Sequence, residues 1–315
     1  MLLLLACTST PLDDSASSDS ASSDSDAPYT WTEACPVEVA EQRMVDVGEV
    51  SLNVACRGDG PVVVFLHGFP EWHHAWNPVM DELATEYRLI APDQRGYNLS
   101  DKPSDLQDYA LPKLVADIQA LLPIVSDEPV LLVAHDWGGP VGWLVAHDNT
   151  SHVRGFMSTN GPHPQRFAEL ILNDPAQAEA SAYMDFFRSE AANDVLTPQV
   201  LSTWFPFLSD EDLVLYQAAW GQPDAIKSGL HWHRANDLTI DAAQALLKGT
   251  GPVEVPTTVL WGEDDDAVLV QNSTELEAFA TDLQVQTFEG VDHWIEHRIP
   301  GEVADAVRDL DARAR

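Results

Sequence analysis

The chain has 315 residues, with 51 acidic against 16 basic side chains and a formal charge of −35 at pH 7. Such a surface repels phosphate backbones and anionic headgroups, which excludes nucleic-acid binding and attraction to acidic membranes. With 45% apolar residues the length suffices for a large buried core, and no run approaches the eighteen or so apolar residues of a membrane span.

In chain order, Leu4-Leu5-Ala6-Cys7 resembles the lipobox of bacterial lipoproteins, whose cysteine becomes the lipidated first residue. The apolar segment before Cys7 is short and lacks a basic flank. Residues 13–26 form a Ser/Asp/Ala tract, too polar to fold and suited to a tether. Residues 1–34 are therefore expected to be leader and tether of an exported chain, held to the cell envelope only through lipid on Cys7. In such a chain the two remaining cysteines, Cys35 and Cys56, read as a disulfide; two buried free thiols are the other reading.

Arg43 to Val47 and Val50 to Ala55 alternate as two strands of a hairpin around Gly48. Val62 to Leu66 is continuously apolar, as a strand buried on both faces must be, and ends in His67-Gly68-Phe69-Pro70-Glu71. A helix is expected over Trp76 to Tyr87, a strand over Arg88 to Ala91, and a helix over Lys113 to Leu122 with Leu114, Ile118, Leu121 and Leu122 on one face. Strands at Val130 to Ala134 and Val153 to Ser158 follow. Strand alternating with helix means a mostly parallel, doubly wound α/β sheet. From His163 to about Lys248 the pattern is helical only. Asp174-Pro175 and Ser209-Asp210-Glu211-Asp212 read as helix starts. The sheet resumes at Pro256 to Trp261 and Gln284 to Phe288, before a helix over Gly301 to Asp311. The division is thus a core over 35–162 and 251–315, with 163–250 inserted as a helical cap.

The stretch that concentrates chemistry is Ala134-His135-Asp136-Trp137-Gly138-Gly139. Strand, tight turn and helix with a reactive side chain at the apex form a nucleophile elbow. The apex is Asp136, whose carboxylate can displace at carbon and form an ester; a strand end with a helix-capping aspartate is the other reading. Two pieces lie downstream at strand ends. Gly262-Glu263-Asp264-Asp265-Asp266 carries an acid, and Gly290-Val291-Asp292-His293 a histidine. Nucleophile, acid, histidine is the chain order of α/β-hydrolases.

From Arg43 to Leu310 the sequence resembles the epoxide hydrolase branch of the α/β-hydrolase superfamily. His67-Gly68-Phe69-Pro70 matches its HGxP loop, Pro92-Asp93-Gln94-Arg95-Gly96-Tyr97 its PDxRGY segment, His135 to Gly139 its HDWGG elbow, and Trp261 to Asp265 its WGxxD loop. Ala134 stands where the family usually has glycine. The resemblance implies the α/β-hydrolase fold, a small apolar epoxide as substrate, and neither cofactor nor metal. It implies that Asp136 opens the ring to form an ester. His293, oriented by Asp265, then activates water, while the backbone N–H groups of Phe69 and Trp137 hold the oxyanion. Two cap tyrosines protonate the ring oxygen in this family. Tyr183 fits the first and is expected to face inward with Phe186 and Phe187. The second is replaced by His233, in His231-Trp232-His233-Arg234, expected to donate as neutral imidazole or, more strongly, as imidazolium. A metal at His231 and His233 is disfavoured because residues two apart on a helix do not face each other. His73 and His74 are expected to line the cleft mouth or to pack. A haloalkane-type dehalogenase uses the same aspartate but needs two donors for the halide, and Phe69 offers no side-chain donor where an asparagine is often found. A non-catalytic surface-anchored binding protein on this scaffold is the third reading.

Overall fold

The computed structural model describes residues 31–148 and 151–315. Cys7 and the 13–26 tract lie outside them. Eight strands form one sheet: β1 (Glu41–Asp46), β2 (Ser51–Arg57), β3 (Val62–Leu66), β4 (Arg88–Pro92), β5 (Val130–His135), β6 (Val153–Thr159), β7 (Thr257–Gly262) and β8 (Leu283–Phe288). Their order is β1-β2-β4-β3-β5-β6-β7-β8. The β1–β2 and β2–β4 pairs are antiparallel and the others parallel.

The apolar runs are continuous because helices cover both faces of the sheet. Val64, Leu66, Leu132 and Ala134 point to one layer with Leu114, Ile118 and Trp143. Val63, Phe65, Leu131 and Val133 point to the other, with Val79, Met80, Val303 and Leu310. The first layer rests under α2 (Leu111–Val125) and α3 (Gly138–Asp148), the second under α1 (Asn77–Leu83) and the C-terminal helix Pro300–Arg313. The expected helix over Trp76 to Tyr87 is shorter at its C-terminal end. It stops at Leu83, and the next residues turn back through backbone bonds from Glu86 and Tyr87 to the Leu83 carbonyl, delivering the chain to β4. The expected Lys113 to Leu122 helix is longer, because Pro112 fits a first turn and adds residues there.

Between β6 and β7 the described chain is helical from Pro164 to Leu246: α4 (Pro164–Asn173), α5 (Pro175–Ala180), α6 (Tyr183–Arg188), α7 (Ala192–Val195), α8 (Pro198–Ser202), α9 (Asp210–Trp220), α10 (Ala225–Ala235) and α11 (Ile240–Leu246). Asp174 caps α5 by accepting from the Ala176 N–H, and Ser209 caps α9 by accepting from that of Asp212.

Cys35 and Cys56 form a disulfide with their Cα atoms 5.8 Å apart, tying the segment before β1 to β2. With the partners 21 positions apart in sequence, the closed loop is expected to stabilise the fold by about 3 kcal/mol in the chain-entropy view. Reduction under native conditions should therefore lower the urea midpoint. A thiol titration of the denatured, unreduced protein that finds Cys35 and Cys56 free would remove the bridge.

Candidate active site

The carboxyl ends of β3, β5, β7 and β8 converge under the inserted helices, where open parallel sheets place their ligands. Asp136 follows β5 with φ +47°, the left-handed conformation that throws its side chain clear of the turn. The neighbours must be small. A Cβ on Gly68 would lie 2.3 Å from the Asp136 side chain, and one on Gly138 would lie 2.5 Å from the Leu66 carbonyl oxygen.

The two carboxylate oxygens of Asp136 have different surroundings. Oδ1 accepts from the Phe69 backbone N–H at 2.7 Å, while Oδ2 lies 3.6 Å from His293 Nε2. Burial by itself would raise the Asp136 pKa; the bond and charge of His293, the nearby His135 and the Trp137 backbone N–H overcome it and bring the pKa to about 2. The Asp136 carboxylate thus stays ionised throughout the physiological range.

His293 Nδ1–H donates to Asp265 Oδ2 at 2.7 Å. Asp265 also accepts from the Asn160 side chain at 2.7 Å, and its Oδ1 takes the backbone N–H groups of Ala267 and Val268, both at 2.9 Å. Asp265 is therefore the partner of the histidine, while Asp264 and Asp266 are exposed at the edge of the cavity. Burial alone would lower the His293 pKa, but the charges and bonds of Asp265 and Asp136 raise it well above its usual value. Asn160, at the end of β6, was not singled out from sequence. Its backbone takes the left-handed conformation, φ +42°, just before Gly161-Pro162.

Tyr183 and His233 reach the same cavity, of about 660 Å³, which Phe69, Phe187 and Trp204 also line. Among the described residues none hydrogen-bonds the Tyr183 hydroxyl. Burial and the Asp136 charge keep this phenol protonated far above the usual tyrosine range. Phe187 is buried beside it, ring centroids 5.0 Å apart, and Phe186, though 36% exposed, lines the same cavity.

Of the two forms expected for His233, its surroundings favour the neutral one. Its Nε2 accepts from the Trp137 indole N–H at 2.9 Å, so a neutral ring carries its proton on Nδ1. The ring is boxed edge-to-face by Phe69, Trp137 and Phe187. Burial lowers its pKa to about 4. His233 is thus neutral near pH 7 and offers no imidazolium to the cavity. His231 faces elsewhere, against Tyr109. His73 and His74 pack: the first bonds Asp93 at 2.7 Å and the second Asp212 at 2.9 Å. Glu71, Glu296 and His297 are close enough to share a metal ion, but Glu71 Oε1 already accepts from Tyr216 and from His297 Nε2, both at 2.8 Å.

A sheet of this order, with helices let in after its sixth strand and a reactive carboxylate at the elbow, defines a capped α/β-hydrolase with aspartate where serine hydrolases have a hydroxyl. The family model described as the alpha/beta hydrolase fold matches residues 61–296, and the chain belongs to this family, in its epoxide hydrolase branch. The AB hydrolase superfamily protein YfhM of Bacillus subtilis (strain 168) is 32% identical over 274 residues, covering 83% of this chain and 94% of the relative. Epoxide hydrolase 2 of Caenorhabditis elegans is 31% identical, covering 77% of this chain and 71% of its own. The crystal structure of Bacillus megaterium epoxide hydrolase with an inhibitor superposes with a TM-score of 0.78 at 26% identity, covering 86% of this chain and 100% of that one.

Proposed function

We propose that the protein hydrolyses small apolar epoxides to vicinal diols through an ester on Asp136. The observation that carries this is the asymmetric carboxylate: Oδ1 is bound by the Phe69 N–H, and Oδ2 faces the His293 Nε2 at 3.6 Å. Oδ2 attacks a ring carbon, the C–O bond of the epoxide breaks, and the Tyr183 hydroxyl gives its proton to the departing oxygen. Oδ1 is then the ester carbonyl oxygen, already held where negative charge will develop. Alkylation removes the Asp136 charge that raised the proton affinity of His293. His293 then releases its proton, which restores the Tyr183 hydroxyl through solvent, and the neutral imidazole becomes a base for water. Hydroxide adds to the Asp136 carbonyl carbon, with the Phe69 and Trp137 N–H groups holding the oxyanion. Loss of such a donor typically costs about 10²–10³ in rate. Collapse releases the diol and the free carboxylate.

Dehalogenation is disfavoured by the Trp137 indole N–H, which would have to meet the leaving halide but is spent on His233. Incubation with an aryl epoxide should yield diol, and with a bromoalkane no bromide. Bromide without diol would reverse the assignment.

A further inference from the structure

Beneath the catalytic loop lies a polar cluster that the reaction above does not use. Glu71, His135 and Glu296 are all but completely buried, at 1%, 0% and 0% exposure. His135 Nδ1, Glu71 Oε2 and both carboxyl oxygens of Glu296 lack hydrogen-bond partners if every acid there is ionised. Native interiors rarely leave so many groups unpaired.

The neighbouring bonds locate a proton. His135 Nε2 is 2.9 Å from the His293 carbonyl oxygen, which can only accept, so the proton of a neutral His135 sits on Nε2 and Nδ1 is a lone pair. Burial, and the nearby His293, bring the His135 pKa down to about 4, so the ring is neutral near pH 7. Its Nδ1 therefore needs a donor. Glu296 Oε1 lies 3.2 Å away, whereas Glu71 Oε2 is at 3.7 Å. Glu71 receives two donors at Oε1, from Tyr216 and His297, and is the carboxylate equipped to be charged. Two adjoining buried carboxylates do not both ionise readily.

We infer that Glu296 is a neutral carboxylic acid whose O–H donates to His135 Nδ1, and that through His135 it fixes the backbone of the catalytic histidine. The chain runs from the Glu296 hydroxyl to Nδ1, and from His135 Nε2–H to the carbonyl of His293, whose side chain is held separately by Asp265. Glu296 is a positioning residue. Its role in turnover rests on the reaction proposed above; its protonation does not.

The test compares Glu296→Gln, whose amide can still donate to Nδ1, with Glu296→Leu, which cannot. In single turnovers with an aryl epoxide, ester hydrolysis should stay within about threefold for the glutamine variant. It should fall by about tenfold to a hundredfold for the leucine variant, as expected when a catalytic group is displaced, with alkylation much less affected. Two readouts need no activity. Wild type should show the infrared band of a protonated carboxyl at neutral pH, absent in Glu296→Gln. The stability comparison has a defined sign. An unfolded glutamate ionises near 4.5, while Glu296, facing Glu71, His135, His293, His297 and Tyr216, keeps its proton well above that value. Wild type should therefore lose stability relative to Glu296→Gln as pH rises from about 4.5 towards neutrality, by at least about 2 °C in Tm. A glutamine variant as slow in hydrolysis as the leucine variant, a missing band, the opposite pH trend, or stoichiometric metal in the purified protein would each overturn the inference. Wild type inert towards epoxides would instead sink the reaction, leaving band and Tm to judge Glu296.

Discussion

A His293→Ala protein incubated with an aryl epoxide should gain the mass of one substrate and keep it. Attack needs only an ionised Asp136 and a proton for the ring oxygen. Asp136, held at a pKa of about 2 in the intact site, loses a stabilising bond in this variant but keeps the Phe69 N–H and the nearby His135, so it remains a carboxylate at neutral pH. Hydrolysis of the ester has no base without the imidazole 3.6 Å from Oδ2, and steady-state turnover should fall by about 10³ or more, within the range of a lost general base combined with lost orientation. Asp136→Asn should show no adduct and no turnover, because an amide is a poor nucleophile. Intact mass spectrometry reads both. A folded His293→Ala protein that stays unmodified, with Asp136 intact, would remove the two-step mechanism.

Much of this site is local in sequence, which is why it could be read there. Val62–Leu66 and Val130–His135 are continuously apolar because both faces of the sheet are covered, and each ends abruptly in residues that protrude from a strand terminus. Asp136, Asp265 and His293 each belong to a short motif whose spacing the turn itself dictates. What escaped depends on distant contacts. The proton on His233 is assigned by an indole 96 residues away, and the ionisation of Glu71 by a histidine 226 residues away. From sequence an acidic chain favours imidazolium, whereas inside the fold desolvation outweighs the surface charge. Asn160 has the same origin: nothing beside it in the chain announces that it bonds Asp265, 105 residues on.

Tyr183→Phe should cost more than any change at His233. Tyr183 brings a free hydroxyl into the cavity, and its protonated state is favoured by burial and by the Asp136 charge. Removing that donor should slow ester formation by about 10²–10⁴, the usual contribution of a positioned general acid. Ester hydrolysis, which runs through His293, should change far less. His233 gives the opposite pattern. Its pKa, lowered to about 4, puts its charge change below the range in which Asp136, His293 and the fold are at work, so alkylation should show no step attributable to His233 between about pH 5 and 9. The sign is fixed: an imidazolium donor would make alkylation fall as pH rises through its pKa, and that fall should be confined to the acid side of about pH 5. His233→Phe would leave the Trp137 indole N–H unpaired, a perturbation of packing and hydrogen bonding of roughly 1–3 kcal/mol in stability, with a modest effect on ring opening. Stopped-flow single turnovers across pH decide it. A Tyr183→Phe protein that alkylates at the wild-type rate, or a wild-type rate that falls through neutral pH and is flattened in His233→Phe, would return ring opening to the histidine.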